Sequence, residues 1–247
     1  MAPPWLQRLS SAPAGVAAAF TTRGSAQQPF DLGTAVGPLD AVRERRAGFA
    51  SALPAQPVWL KQVHGVRVVR LARHVDEAFP EADASWTTQP GLACTVLVAD
   101  CLPVLLATRD GRAVAAAHAG WRGLAAGVLE ATVQAVCEGT GSAPRDVWAW
   151  LGPCIGPHHF EVGRDVLDAF TAAGDDAAPF VERPRPDGSP RWLADLPALA
   201  AARLRRVGVN DLHTDGRCTV ENASAFFSFR RDGRTGRMAA AIWRHGG

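Results

Sequence analysis

Short apolar runs, broken at close intervals by Gly, Pro and Asp, dominate the chain. The uninterrupted runs at 15–20, 94–98, 103–107, 113–118 and 147–151 predict buried strands. Asp110-Gly111 predicts the turn between the third and fourth of these. A different spacing marks 121–137, where Leu124, Val128, Leu129, Val133 and Val136 share one helical face and Gly139 is the expected terminator. Helices are also predicted at 40–53, with Asp40 as N-cap, at 164–173, and at 196–207, where Pro197 fits the first turn. Segment 58–71 is β-like but interrupted by Gly65. Four Pro, three Asp and a Gly make 175–190 a surface loop, and 226–230 with 237–243 read as a closing hairpin around Asp232-Gly233. No linker or repeat divides the chain, so residues 1–247 are expected to form one domain of alternating strands and helices around a mixed sheet.

Composition adds three constraints. The net charge of +2 gives no electrostatic case for a nucleic-acid partner. No uncharged apolar run reaches the roughly 18 residues of a membrane helix, and the short run 14–20 follows only Arg8, so neither a membrane nor secretion is expected. Five cysteines without paired spacing make no disulfide framework, which points to a reducing cytoplasm. The chain has 25 Arg and a single lysine, Lys61, so retention of that lysine against the bias is a weak functional signal.

Scarce reactive residues collect in three segments: Lys61-Gln62-Val63-His64-Gly65, Ala99-Asp100-Cys101-Leu102-Pro103 and His118-Ala119-Gly120-Trp121-Arg122-Gly123. His64, Cys101 and His118 would give Zn²⁺ two imidazoles and a thiolate, with one position open as in catalytic sites. The spacing does not prove this, and a buried free thiol with two hydrogen-bonded histidines is the commoner arrangement. Arg122 sits at a helix start between glycines, where a bound anion would offset the unfavourable dipole; the alternative is an exposed Arg paired with an acid. Arg23, after the first strand, is a second candidate anion contact. Cys154, in Gly152-Pro153-Cys154-Ile155-Gly156-Pro157, is either presented to a cleft or buried in a rigid turn. Cys94, Cys137 and Cys218 read as core. His158-His159 resembles a metal pair, but adjacent residues point apart. His74, His213 and His245 have no supporting context. Arg231 and Arg234, near Arg230 and Arg237, read as a solvated turn.

Together with 20–23 and 226–233, these four motifs resemble those of the YfiH/YlmD-type laccase-domain family, over about 20–243. Two departures are visible: Asp31-Leu32-Gly33 stands where the family usually has Asn-Leu-Gly, and Phe229 where a Tyr is usual. The resemblance implies an α+β fold, a four-layer αββα sandwich shared with the cytotoxic necrotizing factor catalytic domains. It implies Zn²⁺, or Cu²⁺, on His64, Cys101 and His118. It implies phosphorolysis of adenosine, inosine and 5′-methylthioadenosine, with adenosine deamination as a side reaction. Asp100 would then orient a ligand or act as acid/base, Arg122 and Arg23 would meet phosphate, and Lys61, Gln62 and Cys154 would contact the nucleoside. Competing readings are a cysteine hydrolase using Cys101 and His118, such as an amidase that edits cell-wall precursors, a copper polyphenol oxidase, and a non-catalytic zinc-bound protein. Seven His are few for a multicopper centre. Neither substrate preference nor oligomeric state is legible.

Overall fold

The computed structural model describes residues 3–25, 27–72 and 79–246; His74 lies outside them. In chain order the elements are β1 (Leu6–Arg8), β2 (Val16–Thr21), α1 (Leu39–Ser51), β3 (Gln56–Val58), β4 (Val68–Arg70), β5 (Ala84–Thr87), β6 (Leu92–Val98), β7 (Leu102–Thr108), β8 (Val114–Ala119), α2 (Trp121–Ala126), α3 (Val128–Thr140), β9 (Val147–Leu151), β10 (Glu161–Val162), α4 (Arg164–Ala172), β11 (Phe180–Glu182), β12 (Trp192–Ala194), α5 (Leu196–Arg206), β13 (Asp211–Thr214), α6 (Phe229–Asp232) and β14 (Met238–Arg244). Two large mixed sheets form, in the orders β1-β2-β14-β6-β3 and β13-β9-β7-β8-β5-β4, with a small sheet β10-β12-β11 beside them. The single mixed sheet expected from the strand runs is therefore two.

Alternation within each strand explains the layers. In β14, Met238, Ala240 and Ile242 enter one core, while Ala239, Ala241 and Trp243 enter another with Phe49 of α1. In β9, Trp148 and Trp150 join that first core, between the sheets, whereas Val147, Ala149 and Leu151 face Leu129 and Val133 of α3 and Leu199 of α5. The order is α1, five-stranded sheet, six-stranded sheet, then α2 to α5: the αββα sandwich. Both faces of the central strands are buried, so they read as unbroken apolar runs rather than alternating ones.

Several local expectations are corrected by the structure. Pro38, not Asp40, occupies the N-cap of the first helix, and Asp40 pairs with Arg43 in the first turn. The 121–137 helix breaks at Gly127, whose φ of 100° is left-handed, giving α2 and α3. Gly139 does not end α3; it lies within it because Trp86 leaves no room for a side chain there, and Gly141 is the cap. The 175–190 loop contains β11, paired with β12. The closing hairpin does not form: Ser228 caps α6, and β14 inserts between β2 and β6, where both its edges and both its faces are satisfied.

A Cβ at residue 139 would fall 1.9 Å from the buried Trp86 ring. Gly139→Ala is therefore expected to cost about 1–3 kcal/mol through overpacking, read as a lowered denaturation midpoint at unchanged slope. Wild-type stability would contradict this packing.

Candidate functional site

The antiparallel pairing of β7 with β8 sets Pro103 opposite His118, so Cys101 and His118 emerge side by side at one end of the six-stranded sheet. His64 comes from the loop between β3 and β4. One buried carboxylate joins them. Asp83, just before β5, accepts the backbone N–H groups of Val63 (3.1 Å), His64 (2.9 Å) and Gly65 (2.7 Å) and the Nδ1–H of His118 (2.8 Å). Three successive N–H groups around an anion form a nest, which requires a left-handed residue; His64 supplies it with φ 61°. Because Nδ1 of His118 is committed to Asp83, Nε2 is its free nitrogen.

The glycines of the third motif serve this loop. A Cβ at Gly120 would sit 2.5 Å from the His64 ring, and one at Gly123 would sit 2.8 Å from the Gly65 carbonyl. They admit the His64 loop, not a ligand, to the start of α2. His64 Nε2 then lies 3.7 Å from Cys101 Sγ, and the two imidazoles stand edge to face at 4.8 Å.

The charges are mutually dependent. Burial favours the neutral Cys101 thiol, but the His118 charge and the hydrogen bonds from His118 and His64 outweigh it and bring its pKa down to about 6. Burial favours neutral His118, yet the thiolate and Asp83 raise its pKa to about 9. Burial also opposes charge on Asp83; the His118 bond and the Gly65 and Val63 donors keep its pKa below the ordinary value. The donor atoms of His64, Cys101 and His118 lie within 4.8 Å of one another. Ligand atoms around a tetrahedral Zn²⁺ sit about 3.3–3.6 Å apart, so small side-chain rotations fit the set to such an ion. Two imidazoles, a thiolate and a carboxylate behind one imidazole suit a borderline-soft cation.

The triad opens into a cavity of 650 Å³. Between β6 and β7 the chain crosses from one sheet to the other in three residues, 99–101, with Asp100 at φ 83°. The Asp100 carboxylate accepts the Thr219 hydroxyl (2.5 Å) and the Arg230 backbone N–H (2.6 Å). Each of its oxygens takes one hydrogen bond in holding the crossing, and Asp100 also lines the cavity. Gln62 lines the cavity, but its amide pairs with both backbone groups of Leu97. Lys61 stands at the exposed rim, 3.0 Å from Glu81. The remaining candidates fall elsewhere. Arg122 is exposed and stacked on Trp121, Arg23 bonds the Ala223 carbonyl over the Phe227 ring, and neither lines the cavity. Cys154 is buried beside Cys218 with its pKa pushed well up, mainly by burial, so it is core rather than cleft.

Two contributors, Asp83 and Arg46, have no place among the sequence candidates, and a third, Arg237, appears there only as part of an arginine cluster. Asp83 carried only a weak signal, an acid between two alanines ahead of a short strand. Arg46 of α1, within Arg-Glu-Arg-Arg, reads as a solvated helix face. Instead its Nε bonds the Leu32 carbonyl, its guanidinium stacks on Trp59, and burial lowers its pKa. Arg237 gives Nη1 to the Thr235 and Gly236 carbonyls, while its own backbone N–H and that of Gly33 both bond Asp31. Asp31 thus fixes the cavity wall. Among the described residues, the terminal nitrogens of Arg46 and Nη2 of Arg237 have no partner, and both side chains line the cavity.

In metal-stripped protein, the rate of Cys101 alkylation by iodoacetamide is expected to rise through a midpoint near pH 6, because the thiolate forms there. A midpoint near 9, the ordinary thiol value, would contradict the His118 pairing.

Residues 17–245 match the family described as multi-copper polyphenol oxidoreductase laccase. A Pseudomonas aeruginosa protein named purine nucleoside phosphorylase is 47% identical over 97% of this chain and 98% of its own. Escherichia coli purine nucleoside phosphorylase YfiH is 46% identical over 98% and 97%. The crystal structure of a Neisseria meningitidis protein superposes with a TM-score of 0.88 at 43% identity, covering 98% of this chain and 100% of that one. The chain belongs to the multi-copper polyphenol oxidoreductase laccase family, the YfiH/YlmD-type laccase-domain proteins.

Proposed function

We propose that the cavity carries out phosphorolysis of purine nucleosides. A phosphate oxygen bonds to C1′ of the ribose as the bond from C1′ to the purine nitrogen breaks, giving ribose 1-phosphate and, after proton uptake, the free base. The observation that carries this reading is the pairing of walls: a His/Cys/His triad with a held thiolate on one side, and on the other the guanidinium nitrogens of Arg46 and Arg237 that have no partner among the described residues. Its volume of 650 Å³ falls within the usual range for small-molecule sites. The names of the relatives support the same reading. Adenosine, inosine and 5′-methylthioadenosine are the proposed substrates, and the five unpaired thiols fit a cytoplasmic enzyme.

In this mechanism Arg46 and Arg237 bind the phosphate dianion, whose charge suits their free donors. Lys61 can exchange Glu81 for phosphate at the rim. Ile155, Phe160 and Phe229 offer apolar surface to the purine, and Phe229 does so without the hydroxyl of a tyrosine. Asp100 positions the wall that carries Arg230. His64, Cys101 and His118 would hold Zn²⁺, with Cu²⁺ as the alternative ion. When bound, the metal supplies Lewis-acid stabilisation of charge developing on the purine. Deamination of adenosine, in which water replaces the 6-amino group and ammonia leaves, is the proposed side reaction.

A second reading, cysteine-type hydrolysis by Cys101 with His118, is favoured by the thiol pKa of about 6. Zinc separates the two. If zinc-loaded protein resists alkylation of Cys101 and still turns over, the thiolate is a ligand; if turnover requires zinc-free Cys101, it is the nucleophile.

Purified zinc-loaded protein incubated with each nucleoside and phosphate is expected to release free base and ribose 1-phosphate, followed by chromatography. No base from any of the three would overturn the proposal. Arg237→Ala removes a charged hydrogen-bond donor, with a loss of about 1.5–3 kcal/mol. The KM for phosphate should therefore rise about 10- to 150-fold, with zinc content unchanged. An unaltered KM would remove Arg237 from the phosphate site.

A further inference from the structure

A second convergence of metal-ligand side chains lies apart from the triad. His159, Cys218 and Glu221 each place one donor atom within 4.8 Å of the others. They come from two segments that the backbone has already joined. Cys154 and Cys218 are bridge partners, the Thr219 N–H bonds the Cys154 carbonyl (2.9 Å), and the Gly156 N–H bonds Cys218 Sγ (3.2 Å). The Asn222 N–H closes on the Cys218 carbonyl at 3.0 Å, which makes 218–222 one helical turn and puts Cys218 and Glu221 on the same side. His159 ends the opposing turn, its N–H on the Gly156 carbonyl, and its Nε2 stands 3.1 Å from Glu221 Oε1.

We propose that His159, Cys218 and Glu221 form a second site for a divalent, thiol-seeking metal ion of the zinc class, structural in role and independent of the nucleoside chemistry. The donor set is imidazole, thiolate and carboxylate, all within the Zn²⁺ repertoire. Its two negative charges balance a divalent cation. Two nearby cations are otherwise engaged: Arg231 pairs with Asp232 at 2.7 Å, and Arg230 bonds the His159 and Glu161 carbonyls. The Gly156 N–H donates to Cys218 Sγ and fixes the position of the sulfur. Burial is graded: Cys218 is 5% exposed, whereas the His159 and Glu221 side chains are 38% and 49% exposed. The sulfur forms the floor, the other two ligands the mouth, and water can complete the shell. A metal ion here would cross-link the 154–160 turn, which carries the cavity residues Ile155 and Phe160, to the 218–222 turn, whose Thr219 bonds Asp100. The apparent misfit of His158-His159 as a metal pair is resolved, because only His159 takes part and its partners lie some sixty positions away.

Cadmium-113 NMR of the full-length protein at saturating cadmium tests the site with wild-type chain. Two resonances are expected, both displaced toward thiolate-ligated values. Glu221→Gln and His159→Gln should each shift or abolish the same single resonance and leave the other in place. The second equivalent of cadmium should raise the thermal midpoint of the wild type but not of Glu221→Gln. One resonance at saturation, or two that neither substitution changes, would overturn the proposal and reduce the cluster to a surface ion pair over a core thiol.

Discussion

A single buried carboxylate holds the candidate site together. Asp83 lies fully inside the protein, where an uncompensated charge would cost several kcal/mol. Four donors meet it: three consecutive N–H groups from the 63–65 loop and one from the His118 ring. Each such charged hydrogen bond contributes about 1.5–3 kcal/mol, so the arrangement tolerates little displacement. Its consequences spread outward. The nest demands a left-handed His64; the folded loop demands glycine at 120 and 123; and His118, turned by its Nδ1 bond, demands a thiolate on the side of its free nitrogen.

The sandwich supplies the rest by bringing two sheets to one place. His118 belongs to the six-stranded sheet, Leu97 and Val98 to the five-stranded one, and the three-residue crossing at 99–101, which carries Cys101, joins them. Arg46 arrives from α1, on the outer side of the five-stranded sheet, and Arg237 from the residue preceding β14. Soft donors and guanidinium groups thus reach one cavity from different layers. The proposed phosphorolysis, which brings an anion to a polarised leaving group, is served by this division, since each charge is fixed before substrate enters. Among the described residues no helix is long and apolar enough to cross a membrane.

The central strands β7 and β8, at whose ends Cys101 and His118 stand, are legible in the sequence because they are buried on both faces and read as solid apolar runs. Those runs do not reveal how the strands divide between two sheets, since both faces look alike; the run at 237–243 predicts half of a hairpin, whereas β14 lies inside a sheet. His64, Cys101 and His118 stood out as scarce types at element ends, and the structure brings them together. Arg122, Arg23 and Cys154 stood out by the same criterion and lie outside the cavity, since a glycine-flanked turn can serve neighbouring backbone as readily as a ligand. Asp83 and Arg46 escaped notice because their importance comes from what lies across the fold, not along the chain. Lys61, the lone lysine, does reach the rim.

The most direct test of this dependence on Asp83 is the zinc dissociation constant of Asp83→Asn, measured beside its circular dichroism. Loss of the carboxylate behind a ligating histidine weakens metal binding about 10- to 100-fold. A weakening of that size in a chain that remains folded is the expected result. Wild-type zinc affinity would contradict the role assigned to Asp83 and, with it, the ordering of the His64 loop around one buried charge.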